Sequence, residues 1–305
     1  MPSSPRRSPA WVLALSLVGI SFAGPLVRLS NADPIVIAAW RLGFSLIIVA
    51  IALVLTGEWR DWRHLTARDA AFATAAGFAL ALHFWAWNAS IHLTTIAASV
   101  TLVNLQPAFI VAISAIFLRE FPVRRQLIGI AIALAGAFII AMPDFGKIET
   151  ATRSTAPLGN MLAVSAAITA AIYYSIGRHL RGRYGLWSYV GLAYTACAIA
   201  LVAMARLTHA PMTPQPPREI AIFIALALGP MLLGHTGMNW ALKYLPAYIV
   251  NLVTLGEPVG ATLLGALIPG IRQIPSATTI AGGIVVLAGV TIAARSTVST
   301  ARSES

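Results

Sequence analysis

The sequence predicts an all-α membrane protein with ten transmembrane helices, arranged as two inverted repeats of five helices. The first reason is composition. Hydrophobic residues make up 58% of the 305 residues and only 10% are charged, which gives a mean hydropathy of +0.80. A soluble domain carries about 25% charged residues, so this chain has too few to cover a water-facing surface. Lipid is therefore the expected solvent for most of the protein.

Ten charge-poor runs are the second reason, because each approaches the length of about 20 residues that a helix needs to cross the hydrocarbon core. The gaps between the runs are too short to hold a soluble domain. Since nine more runs follow the first, we interpret the first as a retained helix and not as a signal peptide. The runs are residues 10–27, 34–56, 70–91, 94–118, 126–142, 156–177, 186–205, 220–242, 245–269 and 276–294.

The basic residues are distributed unequally between the two sides that an even number of spans defines. The two tails and the 2–3, 4–5, 6–7 and 8–9 loops hold 14 of the 21 Lys and Arg residues, the other loops hold 6, and Arg41 lies inside the second run. Positive charge marks the cytoplasmic side. We therefore expect a multi-pass protein of the bacterial inner membrane with both termini in the cytoplasm. The net charge of +11 then reflects topology anchors, and we expect no nucleic-acid partner.

The residue types that enzymes and metalloproteins use are scarce in this chain. Its one cysteine, Cys197, lies inside an apolar run, and the sequence contains neither a CxxC pair nor a GxxxxGK[ST] motif. We expect no metal, no cofactor and no ATP hydrolysis. A membrane-embedded enzyme needs paired acids, a metal cluster or a nucleophile with its base. This chain has one acidic residue and two scattered histidines deep in its predicted spans, which disfavours an enzyme.

An internal repeat is the third reason for the fold prediction. A shift of 151 residues aligns Asn88 with Asn239, Gln106 with Glu257 and Pro107 with Pro258. The two repeats, residues 1–152 and 153–305, would form one membrane domain. Because five is odd, tandem copies of five helices enter the membrane in opposite orientations, as in many secondary transporters. We therefore predict transport by alternating access, with a channel as the alternative.

The fourth, fifth, ninth and tenth runs resemble a known family. They read TTIAASVTLVNLQPAFIVAISAIFLRE, GIAIALAGAFII, LPAYIVNLVTLGEPVGATLLGALI and AGGIVVLAGVTI. These segments resemble the ten-helix, EamA-type branch of the drug/metabolite transporter superfamily, although IPGIRQ replaces FLRE in the second half. The resemblance implies a secondary transporter, most similar to bacterial exporters of amino acids, including aromatic ones. An exporter of drugs or toxic amphiphiles and an uptake carrier of the same superfamily remain alternatives.

Two prolines are predicted to break aligned helices at matched depth. Pro107 and Pro258 cannot donate a hydrogen bond to the carbonyl group four residues back, and transporters place substrate beside such broken helices. We predict kinks at both prolines and passenger contacts from Gln106, Thr254 and Glu257. Glu257 is the one acidic residue deep in a predicted span. Its alternative role is a protonated side chain that only repairs the kink.

Polar and aromatic side chains in three other spans predict the rest of a central cavity, because polar groups in lipid need a partner or water. His83 and Trp87 are four residues apart and share a helix face, as do His235 and Asn239. Tyr173 lies in the sixth run. We predict that all five contact a small-molecule passenger. Trp87 could instead face lipid, and Asn239 could instead pin two helices together.

Arg41 is the one cation inside a predicted span. It lies about 10 Å from the outer end of its helix, a depth from which the side chain can extend to the interface. Phosphorylated passengers need several cations, so we expect a zwitterionic or neutral passenger.

Glycines on the fifth and tenth runs, Gly129 and Gly136 with Gly282 and Gly283, predict helices that approach closely. We expect the protein to work as a monomer in the lipid bilayer.

Overall fold

The computed structural model describes residues 9–94, 96–145, 155–268 and 277–303. These residues form helices and turns and contain no strand. The helices are α1 (Pro9–Ser21), α2 (Ala23–Leu29), α3 (Pro34–Thr56), α4 (Ala67–Leu93), α5 (Ile96–Val103), α6 (Gln106–Ile113), α7 (Arg124–Phe145), α8 (Ala156–Arg181), α9 (Leu186–Leu207), α10 (Pro217–Leu226), α11 (Gly237–Ala241), α12 (Ala247–Asn251), α13 (Glu257–Leu267) and α14 (Ala277–Ser303). Short 3₁₀ or π segments occupy Glu58–His64, Ser114–Leu118, Ala227–Thr236 and Leu252–Gly256.

Within these described ranges, eight helical stretches are long and apolar enough to cross a membrane. They coincide with the first four and the sixth to ninth predicted runs, which confirms a multi-pass membrane protein. The eight stretches are Pro9–Leu29, Pro34–Thr56, Ala67–Leu93, Ser99–Leu118, Ala156–Arg181, Leu186–Leu207, Pro217–Ala241 and Ala247–Leu267. Helices α7 and α14 lie where the fifth and tenth runs were predicted, and the apolar part of α14 is the shorter Ile280–Ala293. Ten crossings therefore stay a prediction.

The two prolines predicted to break helices, Pro107 and Pro258, each lie at an interruption of one of the eight stretches. Helix α5 ends at Val103 and α6 begins at Gln106, so that Pro107 lies in the first turn of α6. In the ninth predicted span, α12 gives way to a 3₁₀ segment and α13 begins at Glu257, with Pro258 in its first turn. Proline is tolerated in a first turn because the missing N–H has no partner there in any case. Each proline therefore lies at the start of a new helical segment.

Helices from the two halves of the sequence pack against each other throughout. Helix α4 packs on α8 and α9, α3 packs on α9, and α1 packs on the π segment Ala227–Thr236. Small residues allow the close contacts, as where Gly77 of α4 lies against Ala193 and Cys197 of α9. Cys197 is fully buried and has no disulfide partner. The most extensive helix packing therefore joins the two halves.

The pair formed by α7 and α14 is packed through glycine. A Cβ atom added to Gly129 would lie 2.6 Å from the backbone nitrogen of Ala293, and one added to Gly136 would lie 2.6 Å from that of Val286. The carbonyl oxygen of Gly282 also faces Gly136. Gly283, predicted for the same contact, instead has Val259 as its nearest neighbour at 3.6 Å. Three of the four predicted glycines therefore lie at this interface.

Polar contacts join the two halves beyond both ends of α3. At its C-terminal end, Asp69 accepts a hydrogen bond from the Tyr184 hydroxyl at 2.8 Å. At its N-terminal end, Glu219 accepts hydrogen bonds from the Ser30 hydroxyl at 2.5 Å and the Asn31 backbone nitrogen at 3.2 Å. The 23 residues of α3 separate these ends by about 35 Å. We call these hydrogen bonds of Asp69 and Glu219 the two polar contacts between the halves.

Candidate functional site

A cavity lies between the two halves of the sequence, and seven of the eight candidate spans contribute to its wall. Only Leu186–Leu207 does not. The cavity volume is about 40 Å³, which is room for a few water molecules. The wall is formed by Ile20, Ala23, Arg41, His83, Phe84, Trp87, Val103, Asn104, Gln106, Tyr174, His235, Met238, Thr254 and Glu257. In this conformation the cavity is therefore constricted.

Arg41 lies on this wall with only 1% of its surface exposed. Its guanidinium carbon is 4.0 Å from the centroid of the Phe84 ring, a cation–π contact. Its Nη2 atom lies 3.7 Å from the sulfur of Met231, whereas Nε and Nη1 have no hydrogen-bond partner. The expectation that Arg41 reaches the interface was wrong. Its guanidinium contacts Phe84 of α4 and Met231 of the π segment Ala227–Thr236, so the side chain points into the protein.

Two histidines from different halves of the sequence lie side by side on the wall. The ring centroids of His83 and His235 are 6.0 Å apart. The Nδ1 atom of His83 donates to the Ala166 carbonyl oxygen at 2.9 Å, which leaves Nε2 of the neutral ring as an acceptor. The Nδ1 atom of His235 forms a 2.8 Å hydrogen bond with the Tyr174 hydroxyl. Each imidazole is therefore fixed in orientation by one contact.

The two broken helices meet at the cavity. The side-chain amide of Gln106 donates to the side-chain oxygen of Asn251, and the Thr254 hydroxyl donates to the Asn251 carbonyl oxygen at 2.8 Å. Glu257 is 9% exposed and follows on the same chain segment. Among the residues that the structure describes, nothing donates a hydrogen bond to its carboxylate, which borders the open space of the cavity.

Six of the eight residues predicted to contact a passenger lie on the cavity wall: His83, Trp87, Gln106, His235, Thr254 and Glu257. Tyr173 and Asn239 do not. The Asn239 side-chain amide donates to the Tyr173 hydroxyl at 2.5 Å, and both residues are fully buried. They join α8 to α11, which matches the alternative role of pinning helices.

Besides Arg41, sequence reasoning missed three polar or aromatic wall residues. Tyr174 adjoins the predicted Tyr173, and a rotation of about 100° per residue along a helix decides which of the two faces the cavity. Asn104 lies at the break before Pro107, where its position was visible but its direction was not. Phe84 lies between His83 and Trp85. No signal in a single sequence separates cavity-facing from helix-facing residues at these positions.

Several buried polar atoms on the wall lack a partner. Besides Nε and Nη1 of Arg41, they are the indole nitrogen of Trp87 and the side-chain oxygen of Asn104. Most buried polar atoms in proteins are hydrogen-bonded. The residues of the wall therefore include both donors and acceptors that no described group satisfies.

The chain belongs to the EamA-like transporter family, because the profile of that family matches residues 8–142 and again residues 157–295. The resemblance seen in the sequence is thereby confirmed, and the protein is a membrane transporter and not an enzyme. The two matches together cover most of the chain.

Two curated proteins are similar to this one over nearly their full length. An uncharacterized transporter of Archaeoglobus fulgidus is 25% identical over 293 residues, which is 93% of this chain and 98% of the relative. A probable terminal-alkyne amino-acid exporter of Streptantibioticus cattleyicolor is 25% identical over 299 residues, 97% and 96% of the two chains. A solved crystal structure with 17% identity superposes with a TM-score of 0.78 over 99% of this chain and 100% of its own, which shows the same fold.

Proposed function

We propose that the protein exports amino acids or similar small metabolites across the bacterial inner membrane by alternating access through the central cavity. The observation that supports this most directly is the cavity itself. It lies between the two halves of the sequence, beside two helices broken at aligned prolines, and its wall combines apolar side chains with unpaired polar groups. Transporters place their substrates at such positions. The relative named as a probable amino-acid exporter supports this choice of passenger.

The proposal includes ten crossings in two inverted repeats, with both termini in the cytoplasm. The family profile matches the chain twice, once in each half, and α7 and α14 occupy the positions of the fifth and tenth spans. The distribution of Lys and Arg supports the orientation. A single chain encloses the cavity, which agrees with a monomer.

The two polar contacts between the halves support a gated cavity. Asp69 and Glu219 are 150 residues apart in the sequence, close to the shift that aligns the repeats, and each bonds the opposite half. In an inverted repeat, such equivalent residues lie on opposite faces of the membrane. Breaking one contact at a time would open the constricted cavity first to one face and then to the other.

Counterflow in proteoliposomes tests the function. Vesicles containing the purified protein are loaded with one amino acid at a time, and entry of the same labelled amino acid from outside is measured. The proposal predicts saturable uptake that is stimulated by the internal amino acid. Val103→Trp, which fills the cavity, abolishes this uptake, whereas Ile116→Trp, on the exposed face of the same span, retains it.

Three results would contradict the proposal. Uptake that neither saturates nor responds to the internal amino acid identifies a channel. Exchange of amphiphilic drugs without exchange of any amino acid identifies the drug-export alternative. Equal activity of Val103→Trp and wild type places the passenger route outside the cavity.

A further inference from the structure

The opposite charges on the cavity wall indicate how the passenger is held, provided that the proposed function is correct. We propose that the passenger is an α-amino acid bound as a zwitterion, with its carboxylate on Arg41 and its ammonium group on Glu257. Arg41 comes from the first half of the sequence and Glu257 from the second, so that one small molecule would contact both halves.

Arg41 lacks the anion that its position requires. A charged side chain within the bilayer is costly and normally pairs with another group. Among the described residues, the ion pairs are Arg178–Glu120, Arg183–Asp69 and Arg218–Glu219. Arg41 takes part in none of them. Its neighbours are the Phe84 ring and the Met231 sulfur, and neither carries a charge.

The unused atoms of Arg41 match a carboxylate. Nε and Nη1 are buried and have no partner, and they belong to a planar group whose N–H bonds fit two carboxylate oxygens at once. A fully buried, unpaired donor beside a cavity indicates that a ligand or water completes its hydrogen bonds. The guanidinium of Arg41 is held in place by Phe84 at 4.0 Å, so that little conformational freedom is lost on binding.

Glu257 supplies the group of opposite sign without forming an ion pair with Arg41. Both residues line the same cavity, yet no oxygen of Glu257 lies within the 4.0 Å of an Arg41 nitrogen that an ion pair requires. If the two groups served only as each other's counter-ions, direct contact would be the more favourable arrangement. A gap between opposite charges instead suits a molecule that carries both.

The rest of the wall fits the remainder of an amino acid. Ile20, Val103, Phe84 and Met238 provide an apolar surface for a side chain, and the free side-chain oxygen of Asn104 is an additional acceptor for an ammonium group. A phosphorylated passenger needs more than one cation. Among the described residues, Arg41 is the one Lys or Arg on the wall, so the charge balance favours a carboxylate.

An analogue series on the wild-type protein tests the inference without any mutation. A transported amino acid is compared with its carboxamide, which lacks the carboxylate, and with its N-acetyl derivative, which lacks the ammonium group, as inhibitors of counterflow. Each analogue is predicted to bind at least about tenfold more weakly than the unmodified amino acid, as expected for the loss of a charge-assisted hydrogen bond. Equal inhibition by the free acid and the carboxamide would overturn the proposal.

Two variants then assign each charge to its residue. In Arg41→Met, the free acid and the carboxamide are predicted to inhibit counterflow equally well, whereas the N-acetyl derivative still inhibits more weakly. In Glu257→Gln, the free acid and the N-acetyl derivative are predicted to inhibit equally well, whereas the carboxamide still inhibits more weakly. Arg206→Met removes an exposed arginine at the end of α9 and should leave all three inhibition constants unchanged. Full preference of Arg41→Met for the free acid would contradict the assignment.

Thermal stability separates binding from a structural role. If Arg41 is an unpaired buried charge kept for the passenger, Arg41→Met raises the unfolding temperature of the empty protein. A structural role predicts a lower temperature, and loss of folding would count against the inference. Absence of exchange for every amino acid would contradict the proposed function itself, whereas exchange without a carboxylate preference would contradict only this inference.

Discussion

The imidazole of His83 illustrates how a single contact fixes a side chain on the cavity wall. Its Nδ1 atom is bound to the Ala166 carbonyl oxygen at 2.9 Å, and 6% of its surface is exposed. The ring therefore forms a rigid part of the wall and limits the space available to a passenger. The neighbouring ring of His235 is held in the same way by Tyr174.

His83→Ala is predicted to shift passenger preference towards larger side chains. Removing the ring enlarges the cavity, and a difference of one or two carbon atoms in an apolar site changes affinity by about tenfold. Counterflow across a panel of amino acids of increasing size provides the measurement. The control is His92→Ala, an exposed histidine near the end of α4. An unchanged panel would show that His83 does not border the passenger.

Two buried tyrosines form a matched pair for testing how much one hydrogen-bonded hydroxyl group contributes to the free energy of unfolding. Tyr174→Phe removes the hydrogen bond to His235 and leaves its Nδ1 atom without a partner, which we expect to lower the free energy of unfolding by about 1–2 kcal/mol. The hydroxyl of Tyr189 is buried without a partner, so Tyr189→Phe should be neutral or stabilising. The unfolding temperatures of the two variants, measured at one scan rate, test this difference. An equal loss in both variants would refute the assigned bond.

At the scale of elements, the pair α7 and α14 depends on glycine for its close approach. Gly136→Ala places a methyl group at 2.6 Å from the Val286 backbone nitrogen, and we expect a destabilisation of about 1–3 kcal/mol from overpacking. Gly283→Ala is the control, since its nearest neighbour lies at 3.6 Å. Thermal unfolding of both variants gives the comparison, and a Gly136→Ala protein as stable as wild type would contradict the packing.

The broken helices show how far a single sequence predicts structure. Pro107 and Pro258 mark the interruptions because the chemistry of proline is local. The π segment Ala227–Thr236 was not foreseen, although Pro230 lies within it, because a proline alone does not specify how the surrounding hydrogen bonds rearrange. Helix location follows from hydropathy, whereas helix geometry depends on tertiary packing.

The cavity wall also shows which side-chain positions a single sequence predicts and which depend on tertiary packing. Periodicity placed His83 and Trp87 on one face of α4, and both line the wall. It could not orient Arg41, because a long side chain can extend outward or inward and only the neighbours of α3 decide. Tyr173 was predicted where Tyr174 is found, since one residue of helix rotation exceeds the precision of an unaligned sequence.

For the whole molecule, the two polar contacts between the halves are predicted to set the balance between conformations. Asp69→Ala weakens closure at the C-terminal end of α3, and Glu219→Ala weakens closure at its N-terminal end. We expect the first variant to expose the cavity more to the face beyond Thr56 and the second to expose it more to the opposite face. Labelling of a cysteine on the cavity wall from each side measures both. A shift in the same direction for both variants would contradict the gating role.

Alternating access is tested most directly with a single cysteine on the cavity wall, in a transporter that keeps both polar contacts between the halves. Cys197 is the one cysteine of the chain, so Cys197→Ser with Val103→Cys carries a single thiol, on the cavity wall. A membrane-impermeant thiol reagent is added from one side of sealed vesicles of known orientation, and then from the other. Alternating access predicts labelling from both sides and protection by a transported amino acid. Labelling from one side only would contradict it.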